Sequence, residues 1–133
     1  IHDDLKAMEI PASEYKTDPP QVVPISTPAQ SIIDSLPLWN AGDYLLSTTG
    51  GVRPVSGFSK AKAELNAICG FDDWTLHDLR RSAATHMARL GVPQEHIERV
   101  LGHAIEGVAG TYNRYSYLEE KRAALERWGK EWS

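Results

Sequence analysis

An apolar stripe and a short helix after it, each ended by a glycine, constrain this chain more than any other feature. In "TLHDLRRSAATHMARLGVPQEHIERVLGH", residues 75–103, Leu79, Ala83, Met87 and Leu90 recur at spacings of four, four and three. That period places them on one face of a helix. Thr75 stands three residues before Asp78, a capping-box-like start with Asp in place of Glu. Gly91 ends the stripe, Pro93 opens a second short helix, and Gly102 closes it. Proline at an entry and glycine at an exit are the residues that helix ends favour. The segment therefore predicts a tight helix-turn-helix.

The rest of the chain is arranged around that pair. Lys6 to Ile10 and Gln21 to Ile25 are short alternating runs flanking Asp18, Pro19 and Pro20, which predicts a β-hairpin with Lys16 near its tip. "STPAQSIIDSLP" predicts a short helix capped by Ser26 or Thr27 and stopped by Pro37. "GDYLLSTTGGVRPVS" predicts a brief strand and a Gly/Pro loop, and the next segment a helix from Ser56 to Gly70. Leu118, Leu125, Trp128 and Trp132 form a stripe on a terminal helix. It packs either on the protein's own core or, in trans, on a second copy. The expected fold class is α+β, mainly α-helical with a small antiparallel hairpin.

With 133 residues, 41% of them hydrophobic, the chain is sized for one compact domain. No apolar run approaches the roughly 18 residues that cross a bilayer, so no membrane contact is expected. The single cysteine, Cys69, lies in apolar sequence and is expected to be a small buried hydrophobe in a reducing, cytoplasmic setting. The net charge of −4 argues against general polyanion binding. The acidity is concentrated in residues 1–76, however, with 5 Lys/Arg against 10 Asp/Glu. Residues 77–118 hold 5 basic residues against 4 acidic, and all five are arginines, whose forked donors match phosphate oxygens.

His77 and Arg80 lie three residues apart at a helix start, on one face and beside backbone N–H groups that the first turn leaves unbonded. This suits an anion. The other reading makes His77 a capping or packing residue and Arg80 a surface charge. His103 follows a helix-closing glycine, and Tyr112 stands nine positions further on. No cysteine pair or carboxylate spacing supports a metal site, and no cofactor is indicated.

The ordered set His77, Arg80, His103 and Tyr112 resembles the tyrosine recombinase (phage integrase) family. The stretches "LHDLRRSAATHMARLGVPQEHIERVLGH" and "VAGTYNRYSYLEEKRAALERWG" carry the likeness, the second resembling P4-type prophage integrases. The resemblance implies that Tyr112 attacks a DNA phosphodiester, forming a 3′-phosphotyrosine and releasing a 5′ hydroxyl. It implies that Arg80, His77 and His103 hold or protonate the phosphate and that Lys16 is the general acid for the leaving oxygen. Arg81 and Arg114 are either solvated or bound to the DNA backbone. Tyr115 and Tyr117 compete with Tyr112, since Tyr115 lies within about 60° of it on a helix; the spacing from His103 favours Tyr112.

The same resemblance implies double-stranded DNA attachment sites as partner, a synaptic homo-tetramer that could use residues 118–132, and accessory DNA-bending proteins, in a bacterial cytoplasm near the nucleoid. The family carries a further arginine upstream of its hairpin lysine, and none precedes Lys16 here. Residues 1–133 are thus expected to be the C-terminal part of a catalytic domain, weakly active or inactive alone. The alternatives are topoisomerase IB-like strand passage and a non-catalytic DNA-binding remnant.

Overall fold

A computed structural model describes residues 6–11, 13, 21–103 and 116–132. Among these, two strands, β1 (Ala7–Ile10) and β2 (Gln21–Pro24), pair antiparallel with Ala7 opposite Pro24 and Ile10 opposite Gln21. Five helices follow: α1 (Thr27–Asp34), α2 (Phe58–Cys69), α3 (Leu76–Arg89), α4 (Gln94–Leu101) and α5 (Leu118–Gly129). The fold is α+β and mainly helical, as the sequence predicts. The chain divides into two compact units, residues 33–76 and residues 1–32 together with 77–133.

The second of these units holds the core. Met87 and Ile97 are each 1% exposed and are joined by Val92 and Ala124, with Ala83, Ala84, Val100, Leu101 and Trp128 packed against them. The turn between α3 and α4 makes this packing compact. Gly91 sits at φ 76°, in the left-handed region that suits a residue without Cβ. The amide of Val92 reaches back to the Met87 carbonyl at 3.0 Å, so the chain reverses and buries Val92 at once. Pro93, at ψ 140°, is the cap of α4 rather than its first helical residue.

Strand β2 is tied to this core by polar side chains. Gln21 Nε2 donates to the Arg99 carbonyl at 2.9 Å and to that of Val100 at 3.5 Å. Lys121, on α5 and 4% exposed, donates its ammonium to the Val22 carbonyl. Burial, and then the charge of Arg99, hold the Lys121 amine below its ordinary value. Helix α5 also caps α1: Glu126 Oε1 accepts from the Thr27 amide at 2.6 Å and from its hydroxyl at 3.0 Å. A carboxylate at a helix N-terminus is favoured by the helix dipole. Gly129 packs where a Cβ would come within 3.1 Å of Pro28 Cγ and 3.2 Å of Ser26 Oγ.

Residues 33–76 differ from the expectation in three ways. The strand expected around Tyr44 is absent, and this stretch makes only single backbone bonds, from Tyr44 to Gly51 at 3.1 Å and from Val55 to Leu46 at 2.8 Å. Ser47 and Thr49 hydroxyls accept the amides of Thr49, Gly51 and Arg53 and so compete with a ladder. Helix α2 begins at Phe58 behind Gly57, at φ 78°, rather than at Ser56. Cys69 is exposed rather than buried, because no α2 residue is buried. Asn66 accepts the Trp74 indole N–H at 2.8 Å, and Lys62 lies 4.8 Å above that ring, pinning the segment after α2.

The terminal stripe also divides. Trp128 packs on the core, whereas Trp132 lies beyond the end of α5 and stacks on His86, 5.2 Å between centroids. Replacing Met87 by Ala removes a fully enclosed side chain and is expected to lower stability by about 2–5 kcal/mol. Leu79→Ala, at a position 59% exposed, is expected to stay within about 0.5 kcal/mol. Urea unfolding of both variants checks the contrast, and equal losses would refute this placement of the core.

Candidate functional site

The site is built where α3 meets the end of α4. His77 lies in the first turn of α3 and is exposed; Arg80, one turn later on the same face, is half-buried. The Arg80 guanidinium donates from Nη2 to the Leu101 carbonyl, at the last residue of α4. A cation placed at a helix C-terminus satisfies an otherwise orphaned carbonyl and meets the negative end of the dipole. A guanidinium carries five N–H donors, so this bond leaves further donor capacity for an anion.

Gly102 then turns the chain at φ 67°. The amide of His103 bonds back to the Glu98 carbonyl at 3.0 Å, which fixes where the imidazole begins. Its ring is held as well: Nδ1 pairs with Glu98 Oε2, while Gln94 Nε2 donates to Glu98 Oε1. The bond from His103 is the main cause that holds the Glu98 carboxyl below its ordinary value. Burial opposes it; the Gln94 bond and the charges of His103 and Arg80 add to it. An ionised carboxylate only accepts, so Nδ1 carries the proton it shares with Glu98.

The structure thus brings Arg80 and His103 to one helix end, with His77 a turn away from Arg80. Lys16, Tyr112 and Arg114 lie outside the described residues. Arg81 is largely exposed and pairs with Asp78 at 3.2 Å. Of the competing tyrosines, Tyr117 has a place: its hydroxyl donates to Glu95 Oε1 at 2.6 Å, its ring lies 4.5 Å beneath the Arg99 guanidinium, and His96 meets its edge at 6.2 Å. Tyr117 holds the start of α5 against α4. Tyr115 lies outside the described residues. A shallow groove on α3, lined by Asp78, Arg81, Ser82, Thr85, His86 and Arg89, includes none of His77, Arg80 and His103. Among the described residues no cluster of His, Cys, Asp and Glu could hold a metal ion.

The sequence reading missed Glu98 and Gln94. Their signal was present as Gln94 and Glu98 at i and i+4, followed by a glycine-closed turn into histidine, a spacing that returns the residue after the turn to Glu98.

The phage integrase family matches residues 53–119. Prophage integrase IntA of Escherichia coli strain K12 is 28% identical over 122 residues, which is 90% of this chain and 30% of that protein. The chain therefore spans under a third of that relative's length. No solved structure matches.

The folded Glu98 carboxyl lies below its unfolded value of 4.5, so the stability it contributes is present above that pH and is lost as pH falls through the lower folded value. Glu98→Gln removes this dependence. Its urea midpoint is expected to fall less between pH 7 and pH 3 than that of the parent; an identical fall would contradict the assignment.

Proposed function

The chain belongs to the phage integrase family, and on that premise we propose that it is part of the catalytic domain of a site-specific tyrosine recombinase acting on double-stranded DNA. The observation that best supports this is the convergence of Arg80 and His103 at the end of α4, with His77 one turn from Arg80. These side chains offer a phosphodiester both charge and directed N–H donors.

In this reading the Tyr112 hydroxyl attacks phosphorus, the bond to the 5′ oxygen breaks, and the 3′ phosphate remains joined to the tyrosine. Lys16 delivers a proton to the leaving oxygen, and a histidine takes the proton that Tyr112 loses. Negative charge gathers on the non-bridging oxygens as the reaction proceeds, which is where Arg80, His77 and His103 act. One pre-placed donor in such a site is worth about 2.7–4 kcal/mol. Tyrosine, with an ordinary pKa of about 10, needs that positive surrounding to serve as a nucleophile near neutrality. The phosphotyrosine keeps the bond energy for rejoining, so cleavage and integration or excision are reversals of one step.

Arg81 and Arg114 would add backbone contacts. Assembly of several copies on DNA through residues 118–132 belongs to the same reading. Since Ala124 and Trp128 lie in or against the core of their own chain, an exchange of α5 would hand those same contacts to a neighbour.

The test uses the full-length parent and a suicide DNA substrate that traps the covalent adduct. Tyr112→Phe is expected to abolish the adduct while DNA binding persists, and Tyr117→Phe to retain it. Arg80→Ala is expected to slow adduct formation by about 10²–10³-fold. A covalent adduct formed by the Tyr112→Phe protein would overturn the proposal.

A further inference from the structure

Glu98 has no role in the reading above, yet it bonds His103 through both its backbone and its side chain. Its backbone carbonyl accepts the His103 amide at 3.0 Å, and its carboxylate pairs with Nδ1 of the same residue. The carboxylate is in turn held by Gln94, one turn earlier on α4. Arg80 reaches the same helix end from α3. Histidine is thus clamped at both its backbone and its ring by one residue, and that residue is itself braced.

The chemistry of such a pair is specific. A neutral imidazole has two tautomers, and a carboxylate on one nitrogen selects the form protonated there. With Nδ1–H committed to Glu98, Nε2 is the ring atom left to face the substrate, taking a proton from an attacking hydroxyl when the ring is neutral and donating to a phosphate oxygen when it is protonated. Partners of this kind around a functional histidine fix both tautomer and orientation, and losing them commonly costs about 10–100-fold.

We infer that Glu98 is a positioning residue for His103, selecting its Nδ1–H form and presenting Nε2 to the scissile phosphate. The pairing of Glu98 with His103 belongs to the fold; its consequence for phosphate rests on the proposed function. Gln94 serves as the brace that holds the other carboxylate oxygen of Glu98.

Two measurements separate this inference from the reading it rests on. In the present protein, labelled with ¹⁵N at histidine, long-range ¹H–¹⁵N correlation spectra report the tautomer of each ring. His103 is expected in the Nδ1–H form in the parent and in Glu98→Gln, whose amide oxygen still accepts. It is expected to revert mainly to the Nε2–H form in Glu98→Ala. In the full-length parent, Glu98→Ala is expected to slow covalent adduct formation about tenfold or more with DNA affinity within twofold, and Glu98→Gln to restore most of the rate. An unchanged tautomer in Glu98→Ala overturns the inference. So does an unchanged rate in a variant whose tautomer has reverted. Failure of the unmodified parent to form any adduct would overturn the proposed function instead, and the tautomer comparison would still decide whether Glu98 sets the ring.

Discussion

The carbonyls at the end of α4 are the constraint on which the main unit depends. A helix leaves its last four carbonyls without intrahelical partners, and burying them unbonded costs stability. Here they belong to Glu98, Arg99, Val100 and Leu101, and each has a partner from outside the helix. Glu98 receives the His103 amide, Arg99 receives Gly102 and Gln21, Val100 receives Gln21 at longer range, and Leu101 receives Arg80. One helix terminus thereby joins α3, the first residue of β2 and the turn leading to His103. The residues of the candidate site are placed by satisfying backbone groups, so their geometry comes with the fold.

A second layer of the same logic runs through α5. Lys121 and Glu126 spend their charged groups on backbone atoms of β2 and of the start of α1, the carbonyl of Val22 and the amide of Thr27. Arg99 lies near enough to disfavour the charge on Lys121, and it also covers the ring of Tyr117 and pairs with Glu95 at 3.8 Å. Burying an ammonium beside a guanidinium is costly. The cost is offset only because Lys121 satisfies a strand carbonyl and Arg99 faces both a ring and a carboxylate. Among the described residues Met87 and Ile97 sit at the centre of the core, and these polar ties join β2 and α1 to α4 and α5 around it.

What was legible in the sequence follows from how local each cause is. Gly91, Pro93 and Gly102 act on their own backbones, and the α3–α4 pair and the position of His103 after a helix end were readable from them. The hairpin pairing was readable from alternation on both sides of a turn. Cys69 and the stretch around Tyr44 were misread because apolar composition predicts burial or strand only if a partner surface exists. In residues 33–76 the Ser47 and Thr49 hydroxyls capture the backbone instead, and α2 buries none of its side chains. Glu98 was overlooked for the opposite reason: an exposed-looking glutamate in a polar helix acquires its meaning only when the following turn folds the chain back onto it.

The contrast between Tyr117 and Tyr112 shows how the structure narrows a chemical choice without describing the nucleophile. A tyrosine that attacks phosphorus needs its hydroxyl oxygen open to the phosphate and its ring beside cations that favour the phenolate. Tyr117 has a cation over its ring, which alone would suit the task, but its hydroxyl is donated to Glu95 and so is not open to a phosphate. Its backbone, at φ 52°, is held in the left-handed region and begins α5, with its carbonyl accepting Lys121 at 2.9 Å. A residue committed through ring, hydroxyl and main chain cannot swing onto a substrate without undoing the start of a helix. The fold therefore commits Tyr117 to structure, and the proposal that Tyr112 is the nucleophile rests on its spacing from His103.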